Sequence, residues 1–522
     1  MEKSYICSKS LRQLSVLVTL IWIGAIATSC SHRQITRAKT SLDSQTTQIT
    51  TKQQRFDDVT LSVVTLDKPI GVAVEQRVRE FESRTGAKIK MTTVPFGEVY
   101  NTMWEDFTSG ENKYDVIVFV PQWMADFAGG GYFEDLTERV AKDAEIEWDD
   151  VAPFFRNFGG TYQERIYAVP IDGDFHMVYY RSDLLEKAGL QPPNTWDEYL
   201  AIARQFHGQD LNNDSQKDYG SCIPQRANHV GYWMFWSIAS AFLQSQGTKQ
   251  GSFFDPPTMR PLVNNQAFAK ALDIYKEIAA YQPPNQLNLE LTDMRDLFMA
   301  GRCALTIDWG DTGTLAIEPN SQVANKVGAV ILPGTTEVLD RVKGKLVTCD
   351  KFICPYAING VNHAPYAALG GWAGAINKSA KLRVKAAGYA LISYISKPQQ
   401  SNIDVTIGST GFNPYRISQF TNRETWVKAG MSAEAATKYL GGIGVSLSSP
   451  NIVMDLRIPQ NNRYQREVLD TALSDFLRNR ITREEAMQQI ETGWEQLNSK
   501  IGKDTQKAAY FASLGLGKKK EK

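Results

Sequence analysis

Between Val59 and Val120 the apolar residues change period repeatedly, and that order is what most limits the fold. Val59, Leu61 and Val63 alternate, as in a strand with one face buried. Val74, Val78 and Phe81 then recur at helical spacing up to Gly86, a residue suited to end a helix. Ile89, Met91 and Thr93 alternate again, a second helix is expected up to Phe107, and Tyr114 to Val120 is a nearly continuous apolar run. Such a run between helices suits a central strand covered on both faces. Strands and helices in this order predict an α/β lobe with a mostly parallel sheet.

The chain has 522 residues, enough for two or three domains or for two lobes around one cleft. Its 57 Lys and Arg balance 57 Asp and Glu, which removes the compositional argument for a nucleic-acid or anionic-membrane surface. Five His are present, none in HExxH, and there is no GxSxG, Walker A or GxGxxG. An enzyme is therefore not expected.

The stretch from Ala168 to Phe206 reads as strand, acidic turn, strand, helix and second helix. Val178-Tyr179-Tyr180 is β-prone, and Leu184, Leu185 and Ala188 precede Gly189 as a helix precedes its stop. Pro192-Pro193 bars continuation, and Thr195 with Glu198 forms a capping box for the next helix. The wording from Tyr179 to Glu198 resembles the mid-chain signature of sugar-type solute-binding proteins of ABC importers, similar to maltodextrin-binding protein. Three further passages are similar to that family, in its order: Trp123 to Leu136, Leu297 to Trp309, and the glycine loop at Gly370-Gly371-Trp372 with its following strand, Ser379 and helix. The resemblance spans Leu61 to Leu497.

It implies a two-lobed periplasmic-binding-protein fold of type II, each lobe a mostly parallel sheet flanked by helices, with a hinge between. Lobe I would comprise 56–170 and 333–398, and lobe II 171–332 and 399–510, followed by a basic tail over 511–522. Ser379 is expected to cap the helix carrying Val384, Ala387 and Leu391. Thr482 and Glu485 form a last capping box. The implied function is capture of a sugar or oligosaccharide and delivery to an ABC permease, by a monomer that needs no cofactor and acts on no nucleic acid. The alternatives are a binding protein for a polyamine or phosphorylated polyol, an extracellular carbohydrate-active enzyme, or a sensor subunit.

The first thirty residues read as a signal peptide: Lys3, Lys9 and Arg12 precede an apolar run from Val16 to Ile26. Ala27-Thr28-Ser29-Cys30 resembles a bacterial lipobox, with Ala27 in place of the usual Leu, so Cys30 is the expected lipidation site. Residues 31–55, rich in Ser, Thr and Gln, read as a flexible tether. The protein is thus expected in the periplasm or at the cell surface, anchored by its lipidated cysteine. Cys222, Cys303, Cys349 and Cys354 remain, and the sequence does not choose among their three pairings. Cys349 with Cys354 is the first expectation, and free buried thiols are the alternative.

An indole gives a flat apolar face for the C–H side of a sugar, and carboxylates serve its hydroxyls. Trp123 and Trp309 follow strand ends, where ligands gather in open α/β sheets, and Trp372 sits in a glycine loop. Tyr232 and Trp233 stand where the family often places a sugar-facing aromatic. Asp172 and Asp174 lie in a turn between the lobes and read as binding groups rather than a catalytic pair. Each of these could equally be a core or rim residue; Trp148, Trp196 and Trp494 read as packing. Asp210, Asn212, Asp214, Gln216 and Asp218 place oxygens at alternate positions, as a calcium loop does, but Ser215 replaces the expected Gly and Ser221 the bidentate Glu. An Asx-rich turn is the competing reading.

Overall fold

The computed structural model describes residues 54–516. The expected signal peptide, Cys30 and nearly all of the tether lie outside that range, as does the end of the basic tail. Among the described residues no helix is long and apolar enough to cross a membrane.

The first sheet is ordered Lys88–Val94, Thr60–Leu66, Val116–Phe119, Ala373–Ile376, Ala168–Pro170. The three strands from the N-terminal run are parallel, and Val116–Phe119 lies at the centre, buried throughout. The helix Ile70–Thr85 turns Val74, Val78 and Phe81 inward and ends at Gly86, whose φ of 77° needs no Cβ in the way.

The second sheet is ordered Val327–Val330, Met177–Arg181, Cys303–Asp308, Tyr219–Ser221. Strands that arrive from the other lobe enter against the local direction. Ala373–Ile376 is antiparallel to both neighbours, and Met177–Arg181 is antiparallel to Cys303–Asp308. Each sheet is therefore mixed. Both expected capping boxes form, at Thr195 with Glu198 and at Thr482 with Glu485. Ser379 does not cap: the helix begins at Leu382, and the Ser379 N–H instead donates to Asn377 at 2.8 Å. The helix Gly231–Leu243 is buried on every side, as its uninterrupted apolar sequence requires.

Three segments cross between the lobes. The first, 171–176, joins Ala168–Pro170 to Met177–Arg181, the second runs through Gly371 into Ala373–Ile376, and the third contains Asn413 and Pro414. They meet almost backbone to backbone: a Cβ on Gly371 would lie 2.2 Å from the Asp172 carbonyl oxygen, and one on Gly173 would lie 2.7 Å from that of Pro414. Glycine is required at both positions.

Two expected boundaries move. The chain does not return to lobe I at residue 333, because the hairpin of Glu337–Asp340 and Lys345–Thr348 stays on lobe II. Arg341 anchors it there, donating to the carbonyls of Leu243 (3.0 Å), Gln250 (2.8 Å) and Gly251. Nor does it leave lobe I at 399, because Asp404 closes the helix Pro398–Asp404 onto Arg77, with Nε to Oδ2 at 3.0 Å. In both places an arginine decides which lobe holds the chain. Cys349 pairs with Cys354 at the foot of the hairpin, and Cys222 pairs with Cys303 within the second sheet.

Candidate ligand-binding cleft

The ends of the first-sheet strands face the second lobe, and they place Phe96, Gln122 and Trp123 at the seam. Phe96 opens the helix after Lys88–Val94. Its ring lies 6.0 Å from Trp233 and 6.3 Å from Trp372, between centroids. Trp233 in turn meets Trp309 at 5.8 Å, and Trp309 meets His176 at 4.3 Å. An aromatic run thus crosses from one lobe to the other through three of the expected residues. Tyr232 packs on Trp233 at 4.4 Å. Trp123 stands apart from this run, against Tyr100 at 5.4 Å, with its indole N–H directed at Asn462 Oδ1 (3.4 Å).

The expected residues of this run are covered, while Phe96 and Tyr100 are half-buried. Trp123 is 2 % exposed, Trp309 and Trp372 are 4 %, and Trp233 is fully covered. The lobes are closed on one another. The cavity left at the seam, lined by Gln122, Phe158, Leu369, Asp455 and Arg457 among others, measures about 10 Å³. That is room for about one water molecule. A solute can enter only when the lobes part.

The centre of the seam is a residue without any motif around it, Asp455. Its carboxylate accepts from Trp233 Nε1 (2.7 Å), Tyr366 Oη (2.8 Å), Gln465 Nε2 (2.7 Å) and the Leu369 N–H (3.2 Å). The Gln122 amide, oriented with its NH2 toward the carboxylate, adds a bond of 2.7 Å from lobe I and accepts from Trp123 at 3.3 Å. Burial raises the Asp455 pKa, while the bonds from Tyr366, Trp233 and Gln465 pull it back. Arg457, two residues on, donates to the carbonyls of Phe158 and Thr161 (3.1 Å for the latter) on lobe I. Several buried atoms along this segment have no partner: Arg457 Nε, Asn461 Oδ1, Gln465 Oε1 and Arg466 Nε. Orphaned polar atoms are costly inside a protein. Asp455 to Arg466 escaped the sequence reading, and their only signal was a run of polar residues beside Leu456 and Ile458.

Asp172 and Asp174 are placed in the first crossing rather than on the cleft wall. They are 1 % and 5 % exposed and are bound by Asn413 from the third crossing, whose amide donates to Asp172 Oδ1 (3.0 Å) and Asp174 Oδ1 (2.8 Å). The 210–218 loop brings the carboxylates of Asp210, Asp214 and Asp218 within 4.8 Å of one another. Their oxygens are already in use. Asp218 is paired with Arg302 (2.7 Å) and accepts from the Leu211 N–H (2.8 Å), while Asp210 accepts from the N–H groups of Asp214 and Ser215. These bonds are those of an Asx-rich turn.

A model of the bacterial extracellular solute-binding protein family matches residues 67–401. A mannitol-binding protein of Pseudomonas aeruginosa is 23% identical over 287 residues, which is 54% of this chain and 62% of that protein. A multiple sugar-binding protein of Streptococcus mutans is 27% identical over 161 residues, 30% of this chain and 35% of that protein. The chain spans about three-fifths of the length of the first curated relatives it matches. Among solved structures, an ABC transporter solute-binding protein of Agrobacterium radiobacter K84 in complex with ribitol superposes with a TM-score of 0.69 at 22% identity, covering 85% of this chain and 100% of that one. Maltose-bound MalE3 of T. maritima gives 0.66 at 21%, covering 84% and 100%. At such identities the likeness establishes the two-lobed fold.

Proposed function

The chain belongs to the bacterial extracellular solute-binding protein family, and on that premise we propose that it captures a sugar or polyol between its lobes and presents it to the permease of an ABC importer. The observation that carries the reading is the set of orphaned polar atoms along 457–466, set beside the aromatic run of Trp372, Phe96, Trp233 and Trp309. A polyhydroxylated solute offers hydroxyls around its rim for the former and C–H faces for the latter. Lobe closure around it would bury both. A polyamine would need free carboxylates on the wall, and Asp455 is already surrounded by donors. Arg457 has carbonyl partners instead of a carboxylate, which favours a phosphorylated polyol as the second reading.

No reaction on the solute is part of this proposal. Asp172 and Asp174 are bridged by one Asn413 amide nitrogen in the hinge instead of facing each other across a bond, as a glycosidase pair must. Lipid on Cys30 would hold the protein outside the cytoplasmic membrane, and mass spectrometry of the mature N-terminus tests that.

The test of the function is a thermal-shift screen against sugars, polyols and phosphorylated polyols. A solute at a hundred times its Kd stabilises by about 2.7 kcal/mol. A neutral sugar or polyol hit that Trp309→Ala abolishes supports the first reading. A response confined to phosphorylated compounds selects the second, and no response from folded protein sinks both.

A further inference from the structure

The hinge holds more carboxylates than it can keep ionised. Asp172 and Asp174 come from the first crossing, and Asp308 and Asp311 from the end of Cys303–Asp308 and the turn after it. All four are at most 5 % exposed. The one guanidinium among them, Arg295, is fully committed: it donates to both oxygens of Asp308 and of Asp311 at 2.7–3.2 Å. Nothing of that kind is left for Asp172 and Asp174.

Every other titratable group facing the pair is accounted for. His176 bonds Ser237 through Nδ1 at 2.6 Å, and burial holds its pKa down at about 3, so it brings no charge. Tyr179 and Tyr439 donate to the Gly310 carbonyl at 3.1 and 2.7 Å. Tyr415 donates to the Ser396 carbonyl, and Arg416 points the same way, to Ser396 and Ile146. Asn413 supplies the pair with N–H donors, yet Asp172 Oδ2 has no partner at all. One amide nitrogen, Asn413 Nδ2, bonds both Asp172 Oδ1 and Asp174 Oδ1, which sets the two carboxyl groups side by side. Two adjacent carboxylates in a buried site with no cation of their own do not both ionise, so the pair holds a proton.

We propose that the hinge is a proton-operated latch: a proton held by the Asp172–Asp174 pair keeps the first crossing bound to Asn413, and its loss lets the lobes swing apart. Opening admits water to the pair, which then carries its charges at little cost. Closing removes that water and takes up the proton. The consequence is directional. The closed form gains as the pH falls and loses as it rises through the titration of the pair, for which burial pushes Asp172 up to about 7. The proposal rests on lobe closure from the reading above and not on which solute is bound.

The test needs no solute. Small-angle scattering of the purified full chain between about pH 5.5 and 8.5 reports the open-to-closed ratio, which should rise with pH by up to about tenfold per unit, the slope of one proton. Asp174→Asn removes the acidic proton while keeping shape, and should stay closed across the range. Asp172→Asn carries the same expectation should the first variant fold poorly. A wild-type ratio that ignores pH overturns the proposal. So does an unchanged pH response in a folded variant, or a response to sodium concentration at fixed pH. A flat pH response beside a clear solute hit would sink the latch and leave the transport reading intact.

Discussion

Trp233 and Asp455, separated by 222 residues of chain, share a 2.7 Å hydrogen bond at the seam of the two lobes. The same carboxylate accepts hydrogen bonds from Tyr366 and Gln465, so one acidic side chain orients three donors at the seam. Asp455→Ala leaves all three buried without an acceptor. At about 1–3 kcal/mol for each orphan, urea unfolding should register a loss of about 3 kcal/mol or more. A loss under about 1 kcal/mol would mean the donors find other partners and Asp455 is dispensable.

The pH dependence of stability follows from Asp126. It is 6 % exposed, and burial pushes its pKa up to about 7 against the opposing bonds from the Gln460 N–H and the Tyr100 hydroxyl. An unfolded Asp titrates near about 4. The folded chain therefore keeps a proton that the unfolded chain gives up. This contribution is complete below the unfolded value and disappears as pH rises through about 7. His176 acts in the opposite sense, since its depressed value makes folding weaker as pH falls below its ordinary value. Asp126→Asn should cut the fall of unfolding free energy with pH by about one proton, or ~1.4 kcal/mol per pH unit. Chemical denaturation at several pH values measures it, and an unchanged slope refutes it.

Calcium should be without effect on the 210–218 loop. Melting curves with added calcium and with EDTA are expected to coincide. Asp218→Asn, by contrast, deprives Arg302 of its carboxylate and should cost about 2 kcal/mol. A calcium-dependent rise in melting temperature would show that the metal displaces Arg302 and would restore the loop as a cation site.

The two disulfides should differ in worth. Cys222–Cys303 closes 81 residues of separation and Cys349–Cys354 only 5. By the entropy of loop closure, replacing the first pair with Ser should cost about 4 kcal/mol and the second about 2 kcal/mol. Equal losses in urea titrations would contradict that account.

The sequence carried the local rules well. Gly86, Gly189 and the capping boxes at Thr195 and Thr482 stop and start helices where their chemistry says they should. Ser379 misled because Asn377, two residues earlier, supplies the competing acceptor. What spacing alone does not convey is contact between distant segments. Arg341 and Arg77 each hold a stretch of chain to one lobe through partners more than 90 residues away, so the lobe boundaries shifted. Trp233, Trp309 and Trp372 were legible as aromatics near strand ends and loops. The meeting of Trp233 and Trp372 at Phe96, of Trp309 with Trp233, and the presence of Asp455 beside Trp233 depended on a fold that no local pattern encodes.

The place of Asp455 in the chain has a consequence for how the molecule comes into being. Every strand of the two large sheets lies between Thr60 and Ile376, whereas the segment that floors the cleft begins almost 80 residues later. As the chain emerges from its N-terminus, both lobes can complete their sheets before the residues that join them at the seam exist. The nascent protein would then have both sheets and the crossings between them, but not the carboxylate that gathers Trp233, Tyr366 and Gln122 at the seam. That carboxylate arrives with about the last eighth of the chain, together with Trp494 and Tyr510 of the second lobe's core, so a chain interrupted late in synthesis would have its sheets and lack its seam.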